Sequence, residues 1–283
     1  MVKQFFGKHL KTIDVFVVTF YSDLEILKKV LQRLSESAKS CADILCRVTI
    51  VDNSYGRGTD YFQSLHQVVA DSDLNIDLHQ APGNLGFGQA NNWAFDLCSK
   101  KMPSSDGILV LNPDAFLSVD TLQQAVQIFN HQADLGVLLP RFRSELGQDL
   151  YLAKRYPNVW VLFLRGFAPK FMKKFFQSSI DSYDLKDVPA DQPHLKTVVG
   201  SGACFFMRRN IWQELGGFDP DFFLYFEDFD LTYRAKKITK VSYEPSIQVV
   251  HLGGHTAKKG KTHIKYFIRS AGQFFHKNGW KLF

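Results

Sequence analysis

The strongest constraint on the fold is a repeated unit: an apolar, β-branched run that ends in polar residues and gives way to apolar positions at helical spacing. Ile13 to Phe20 (IDVFVVTF) leads into Tyr21-Ser22-Asp23, after which Leu24, Leu27, Val30, Leu31 and Leu34 mark one helix face. Arg47 to Val51 ends in Asp52-Asn53-Ser54, with Tyr61, Leu65, Val68 and Val69 behind it. Ile76 to His79 leads to the glycine-containing stretch Ala81 to Gly88 and a helix over Gln89 to Ser99, and Gly107 to Leu111 ends in Asn112-Pro113-Asp114. Fully apolar strands alternating with amphipathic helices predict an α/β fold whose parallel sheet is covered on both faces. Such sheets bind ligands beyond the carboxyl ends of their strands, which is where the polar clusters fall.

Past Asp120 the period loosens. Thr121 to His131 reads as helix, Val137 to Pro140 as a short strand, and Tyr151 to Pro193 carries Phe, Lys and Pro without clear period. A strand is predicted within Thr197 to Met207, then a helix over Asn210 to Leu215 and a turn at Gly216 to Pro220. With 45% hydrophobic residues, the 283-residue chain can build one large core or two closely packed lobes. Met1 to Lys11 lacks the apolar stretch of a signal peptide, and the run Val159 to Leu164, stopped by Arg165, is far short of a membrane span. Cys41, Cys46, Cys98 and Cys204 lack the paired spacing of a zinc site, so a cytoplasmic setting is expected. The net charge of +6 beside 26 Phe favours anionic partners. Dispersed Lys and Arg without a recognised binding motif argue against nucleic acid.

Four segments can carry chemistry. Asp114, closing a strand in an Asn-Pro-Asp turn, can hold Mg²⁺ or Mn²⁺ against a diphosphate, or simply serve the turn. Asn84 to Asn92 (NLGFGQANN) can turn backbone N–H groups toward phosphate at a helix start, or be an ordinary tight turn. Glu227, Asp228 and Asp230 stand among Phe222, Phe223, Tyr225 and Phe226, where desolvation lifts a carboxylate toward base strength. The alternative is a helix start, with Asp230 pairing to Arg234 at i, i+4. His251, followed by His255, is a metal-ligand candidate or a structural histidine at a strand end.

In order, the stretches VVTFYSD, VTIVDNS, NLGFGQANN, ILVLNPDAFL, VGSGACFFMRR, LGGFDPDFFLYFEDFDLTYRAK and VVHLGGHT resemble the inverting GT-A glycosyltransferases of family 2, in particular the bacterial rhamnosyltransferase-like branch. The resemblance spans Ile13 to Thr256 and implies a GT-A fold: a Rossmann-like, mostly parallel sheet with helices on both faces and a smaller acceptor-side region. A single domain over 1–283 is implied, with a nucleotide-sugar half at about 12–118 and an acceptor and catalytic half at about 119–283. The resemblance implies that Thr19, Tyr21 and Asp52 line the nucleoside pocket, Asp52 accepting from the pyrimidine N3–H. Asn84, Gly86 and Asn92 would shape the loop over ribose and diphosphate. Asp114 matches the last Asp of the family's D-x-D metal motif, where Asn112 replaces the first, and His251 would be a further ligand to Mg²⁺ or Mn²⁺. Asp228 matches the catalytic base, with Gly202 and Glu227 on the acceptor side.

The expected reaction moves a sugar, best read as L-rhamnose from dTDP-rhamnose, onto a hydroxyl of a glycan or lipid-linked acceptor in cell-surface polysaccharide assembly. Alternatives are a UDP-hexose donor, or a silent sugar-nucleotide-binding module, which would be expected to lose Asp114 or Asp228. Peripheral contact with the inner face of the membrane is a further expectation. Ile264, Phe267, Ile268, Ala271 and Phe275 form a stripe on a helix capped by Thr262, beside Lys258, Lys259, Lys261, Lys265, Arg269, Lys277, Trp280 and Phe283. Phe163, Phe167, Phe171, Lys173, Lys174 and Phe175 share that chemistry, with Pro169 breaking the helix.

Overall fold

A computed structural model describes residues 9–41, 43–54, 59–101, 104–196, 199–253 and 260–283. Strand β1 (Thr12–Thr19) buries Ile13, Val15 and Val17 on one face and Phe16 and Val18 on the other, as a strand between two helical layers must. Helix α1 (Leu24–Lys39) starts at Asp23, whose carboxylate accepts from the N–H groups of Glu25 and Ile26, and lays Leu27, Val30, Leu31 and Leu34 against the first face. Strand β2 (Leu45–Asp52), helix α2 (Thr59–Ala70), strand β3 (Ile76–Gln80), helix α3 (Gly86–Lys101) and strand β4 (Gly107–Leu111) follow. These four strands form the parallel run β3-β2-β1-β4, with Thr19 in register with Asp52 and Asp52 with Gln80.

The second half comprises β5 (Ala115–Leu117), α4 (Thr121–His131), β6 (Leu135–Arg143), α5 (Val159–Gly166), α6 (Lys170–Phe175), α7 (Gln177–Tyr183), β7 (Cys204–Arg208), α8 (Arg209–Leu215), α9 (Glu227–Lys236), β8 (Lys240–His251) and α10 (Lys261–Asn278). One eight-stranded sheet results, ordered β3-β2-β1-β4-β7-β6-β8-β5. Strand β7 runs antiparallel to both β4 and β6, β8 runs parallel to β6 with two register shifts, and β5 closes the edge antiparallel to β8. The fold is mixed α/β with helices on both faces, and the sheet changes strand direction beside the central β4.

Three expectations shift. The strand predicted within Thr197 to Met207 begins only at Cys204, because the N–H groups of Gly200 and Gly202 are given to side chains of α9, Thr232 Oγ1 and Asp228 Oδ2, and not to a ladder. Thr262 does not cap α10: the N-cap is Gly260 and Thr262 lies inside the helix. The apolar stripe of α10 is also divided. Phe267, Ala271, Phe274 and Phe275 pack with Phe222 and Phe226, while Ile264 and Ile268 remain 46% and 56% exposed. The burying face is rotated toward Ser270, whose hydroxyl donates to Leu224 O at 2.8 Å. No helix among the described residues is long and apolar enough to cross a membrane.

Candidate active site

At the carboxyl edge of the parallel strands, Thr19 and Asp52 are fully buried side by side. Asp52 Oδ1 accepts from the backbone N–H of Ser54 at 3.0 Å and from the Ser54 hydroxyl, while Oδ2 receives only a long 3.4 Å contact from Gln80. That oxygen keeps accepting capacity for a base edge. Tyr21, at a positive φ of 49°, donates its hydroxyl to Ser54 O at 2.8 Å and sets its ring 5.5 Å from that of Tyr61. A wall of two tyrosines beside a buried carboxylate is suited to a nucleoside.

The Asn84 loop is tied to this wall by a residue the motif reading passed over. Asn53 accepts from Leu85 N–H at 2.8 Å and donates to Gly86 O and to Asn84 Oδ1, each at 3.2 Å, and Asn84 Oδ1 also accepts from Gly86 N–H. Its signal was a polar residue directly after a strand end. Gly86, at φ +75°, abuts the backbone of Phe223 so closely that any side chain would collide. Asn92 lies apart from these residues in its bonding. Its amide both donates to Phe218 O at 2.7 Å and accepts from Phe218 N–H at 2.9 Å, which fastens the turn after α8 to α3.

Asp114 and His251 are 137 residues apart in sequence and meet because β5 pairs with β8, Ala115 opposite His251. His251 Nε2 lies 3.2 Å from Asp114 Oδ1, both side chains being largely covered. Near them Asn112 Oδ1 is buried and has no protein partner. A carboxylate, an imidazole and an orphaned amide oxygen at one strand edge suit a hard or borderline divalent ion such as Mg²⁺ or Mn²⁺. Among the described residues no cluster of three or more His, Cys, Asp or Glu occurs, so oxygens of a diphosphate and water would complete the shell. His255 lies outside the described residues.

The carboxylate at the heart of the site is Asp228, in the first turn of α9. Gly202 N–H donates to Oδ2 at 2.8 Å and Phe229 N–H to Oδ1 at 2.8 Å. Burial raises its pKa to about 6, and these N–H bonds oppose the rise. Adjacent Glu227 is 5% exposed, its Oε2 has no partner, and burial followed by the charge of Asp228 pushes it up as well. The helix start is built on strain: Tyr225 and Phe226 both have positive φ, 69° and 65°. Phe226 is wedged against Phe229, Phe267 and Phe274, and the Tyr225 hydroxyl lies 3.0 Å from His263 Nδ1, so α10 holds the turn in place. Asp230 is structural as the alternative reading has it, bound to Arg234 at 2.6 Å and to Asn278 at 2.9 Å.

A cavity of about 380 Å³ opens beside Asp228 and Glu227, lined further by Tyr225, Leu162, Arg165 and Lys154. Sequence reading missed Arg165 and Lys154 as site residues; Arg165 registered only as the break in an apolar run. Outside this cavity, Trp160, Phe163 and Phe167 stack in series at 5.7 and 6.5 Å. The chain end adds Phe283, 6.4 Å from Trp160, held by bonds from Val159 N–H to Lys281 O and from Trp160 N–H to Leu282 O.

Residues 13–256 match the model of the glycosyltransferase-like family 2. Over 285 aligned residues the chain is 26% identical to the N-acetylglucosaminyl-diphospho-decaprenol L-rhamnosyltransferase of Mycobacterium tuberculosis, covering 95% of this chain and 86% of the relative. It is 27% identical to the rhamnosyltransferase WbbL of Escherichia coli over 199 residues, 66% of this chain and 70% of WbbL. The fold resembles that of GalNAc-T7, solved with UDP, GalNAc and Mn²⁺, at a TM-score of 0.63 and 14% identity, covering 95% of this chain and half of that one. The mannosyltransferase PcManGT from Pyrobaculum calidifontis, solved with GDP-Man and Mn²⁺, aligns at a TM-score of 0.59 and 17% identity over 94% of this chain and 63% of its own. These neighbours are GT-A glycosyltransferases, and the architecture described above is theirs.

Proposed function

The chain belongs to the glycosyltransferase-like family 2, and from that premise we propose that it is an inverting transferase in which Asp228 is the base. The carrying observation is the carboxylate itself: desolvated, fixed by two N–H donors, and set in the wall of a cavity large enough for a sugar. An acceptor hydroxyl is a weak nucleophile. Asp228 takes its proton as the oxygen attacks the anomeric carbon from the face opposite the leaving diphosphate, so one displacement inverts the configuration. Thr19, Tyr21 and Asp52 hold the nucleoside, while the loop fixed by Asn53 closes over the ribose. Asp114 and His251, with Asn112 beside them, would hold Mg²⁺ or Mn²⁺, which supplies Lewis-acid stabilisation of the leaving diphosphate.

The donor is dTDP-rhamnose in this reading, supported by the two rhamnosyltransferase relatives. The acceptor is a glycan or lipid-linked glycan, and residues 1–283 work as one domain whose 12–118 half binds the donor and whose 119–283 half presents the acceptor. Peripheral contact with an anionic membrane face accompanies such an acceptor. Its surface lies at α5, α6 and the chain end more than on α10. Phe171, Phe175 and Phe283 are 74%, 81% and 82% exposed, α6 buries no residue, and Lys170, Lys173 and Lys174 flank the rings. Lys277, by contrast, is committed to Asp219 and Asp221 at 2.5 and 2.6 Å, and Lys258 and Lys259 lie outside the described residues.

A hydrolysis screen of dTDP-rhamnose against UDP-hexoses, with the anomer of the transferred product assigned by NMR, tests the donor and the stereochemistry together. Preference for a UDP-hexose removes the rhamnose assignment, and retention of configuration removes the mechanism.

A further inference from the structure

The cavity beside Asp228 is lined by charges of both signs. Its carboxylates, Glu227 and Asp228, pair with no cation among the described residues. Its two cations share one acid: Lys154 Nζ lies 2.5 Å from Asp184 Oδ1, and Arg165 Nη1 pairs with the same oxygen. Both cations also stand over the Tyr183 ring, at 5.2 and 5.3 Å from its centroid. Two cations directly paired to one carboxylate leave N–H donors of Arg165 available at the cavity wall, where its side chain is 37% exposed, to an incoming anion. Burial and the neighbouring Arg165 charge draw the pKa of Lys154 down to about 8. Arg165 is the more accessible cation. Its planar fork presents five N–H donors and suits the oxygens of a phosphate.

We infer that Arg165, backed by Lys154, is the binding site for a phosphate group carried by the acceptor. The inference rests on the transferase reading, in which the acceptor occupies this cavity. It adds an orienting device: an acceptor anchored by its phosphate on Arg165 presents a hydroxyl to Asp228 in the same cavity. The phosphate could belong to a lipid-linked or to a free sugar phosphate. The stacked rings of Trp160 and Phe163 on the same helix as Arg165, and of Phe167 at its C-cap, provide an apolar track outward for a lipid tail.

The test is a titration of the full chain, saturated with dTDP and Mg²⁺ so that the donor side is filled, with inorganic phosphate and then farnesyl phosphate, read by calorimetry. The parent binds phosphate, Arg165→Gln weakens it on the order of tenfold or more, and Arg165→Lys recovers part of the loss. Tighter binding of farnesyl phosphate identifies the lipid source, and equal binding identifies the free one. Donor hydrolysis by the same samples separates the two readings. Unchanged phosphate affinity in Arg165→Gln, or none in the parent, overturns the subsite while donor hydrolysis upholds the transferase; absence of hydrolysis with every nucleotide sugar overturns the transferase while the titration still reads the subsite.

Discussion

Gly202 gives its backbone N–H to Asp228 Oδ2 at 2.8 Å across a gap with no room for a side chain: a Cβ on Gly202 would lie 2.8 Å from Phe87 Cε1 and 3.3 Å from Asp228 Cβ. The loop before β7 and the start of α9 are thereby locked together, and the oxygens of Asp228, the proposed base, are aimed by backbone N–H groups. Gly202→Ala should therefore move Phe87 or the loop and misalign the base. Turnover should fall about 10-fold or more with donor affinity nearly unchanged, as steady-state kinetics and donor titration would show. Parent-like turnover would mean that the contact does not position Asp228.

Asp228→Asn keeps the shape and abolishes the basicity. The expected loss in kcat is about 10²-fold or more, with little change in donor Kd. Near-normal turnover would remove Asp228 from the role of base.

The raised pKa of Asp228, about 6, gives a pH signature in both activity and stability. Activity should rise with pH through about 6 as the carboxylate ionises, and that limb should vanish in the residual activity of Asp228→Asn. For stability, an acid whose folded pKa lies above its unfolded value holds more protons in the native state between the two, so the parent loses stability as pH rises through that window. The stability of Asp228→Asn relative to the parent should therefore grow from about pH 4 to about pH 6 and then level off, whatever fixed offset the amide introduces. A pH-independent difference in Tm would contradict a perturbed Asp228.

Asp114→Ala and His251→Ala should each weaken donor binding in Mg²⁺ or Mn²⁺, and the double variant should lose less than the sum of the two because they act on one ion. EDTA should inhibit the parent, with activity restored by excess Mn²⁺. Full activity in EDTA together with a normal donor affinity for Asp114→Ala would exclude a shared metal.

Phe171→Glu with Phe175→Glu should abolish cosedimentation with phosphatidylglycerol vesicles at low salt while leaving donor hydrolysis intact, since both rings are exposed and neither lines the cavity. Failure of the parent to bind, or equal binding to neutral phosphatidylcholine vesicles, would overturn the membrane contact. Self-association without vesicle binding would assign the patch to a second copy of the chain.

The parallel half of the sheet was legible because its inner strands β1 and β4 are buried on both faces, so Ile13 to Phe20 and Gly107 to Leu111 read as unbroken apolar runs with turn chemistry after them. Asp228 stood out as a candidate because carboxylates and aromatic residues cluster around it in sequence, whereas Gly202, which bonds to it, and Leu162, Arg165 and Lys154, which line the cavity with it, come from remote segments with no local signal. The union of Asp114 with His251 follows from the β5–β8 pairing, which leaves no periodic trace in a three-residue strand. The start of the strand within Thr197 to Met207 was not legible, because the N–H groups of Gly200 and Gly202 go to acceptors from α9 that no local pattern announces. Helices α5 to α7 run only six to eight residues each, too short for an apolar period to show, and Arg165 went unassigned with them.

The β5–β8 pairing also fixes when the site can exist. Thr19, Tyr21, Asp52 and Tyr61, the proposed nucleoside wall, are all synthesised before position 90, yet Asp114 does not meet His251 until β8 has been made and has slotted beside β5, nearly half the chain later. In the proposed transferase, synthesis from the amino end would complete the residues of the nucleoside wall long before those that would hold a metal against the diphosphate. Cleavage of an activated sugar by that transferase would then wait until the proposed base on α9 and the cavity beside it are also in place, and a half-made chain would not spend the donor.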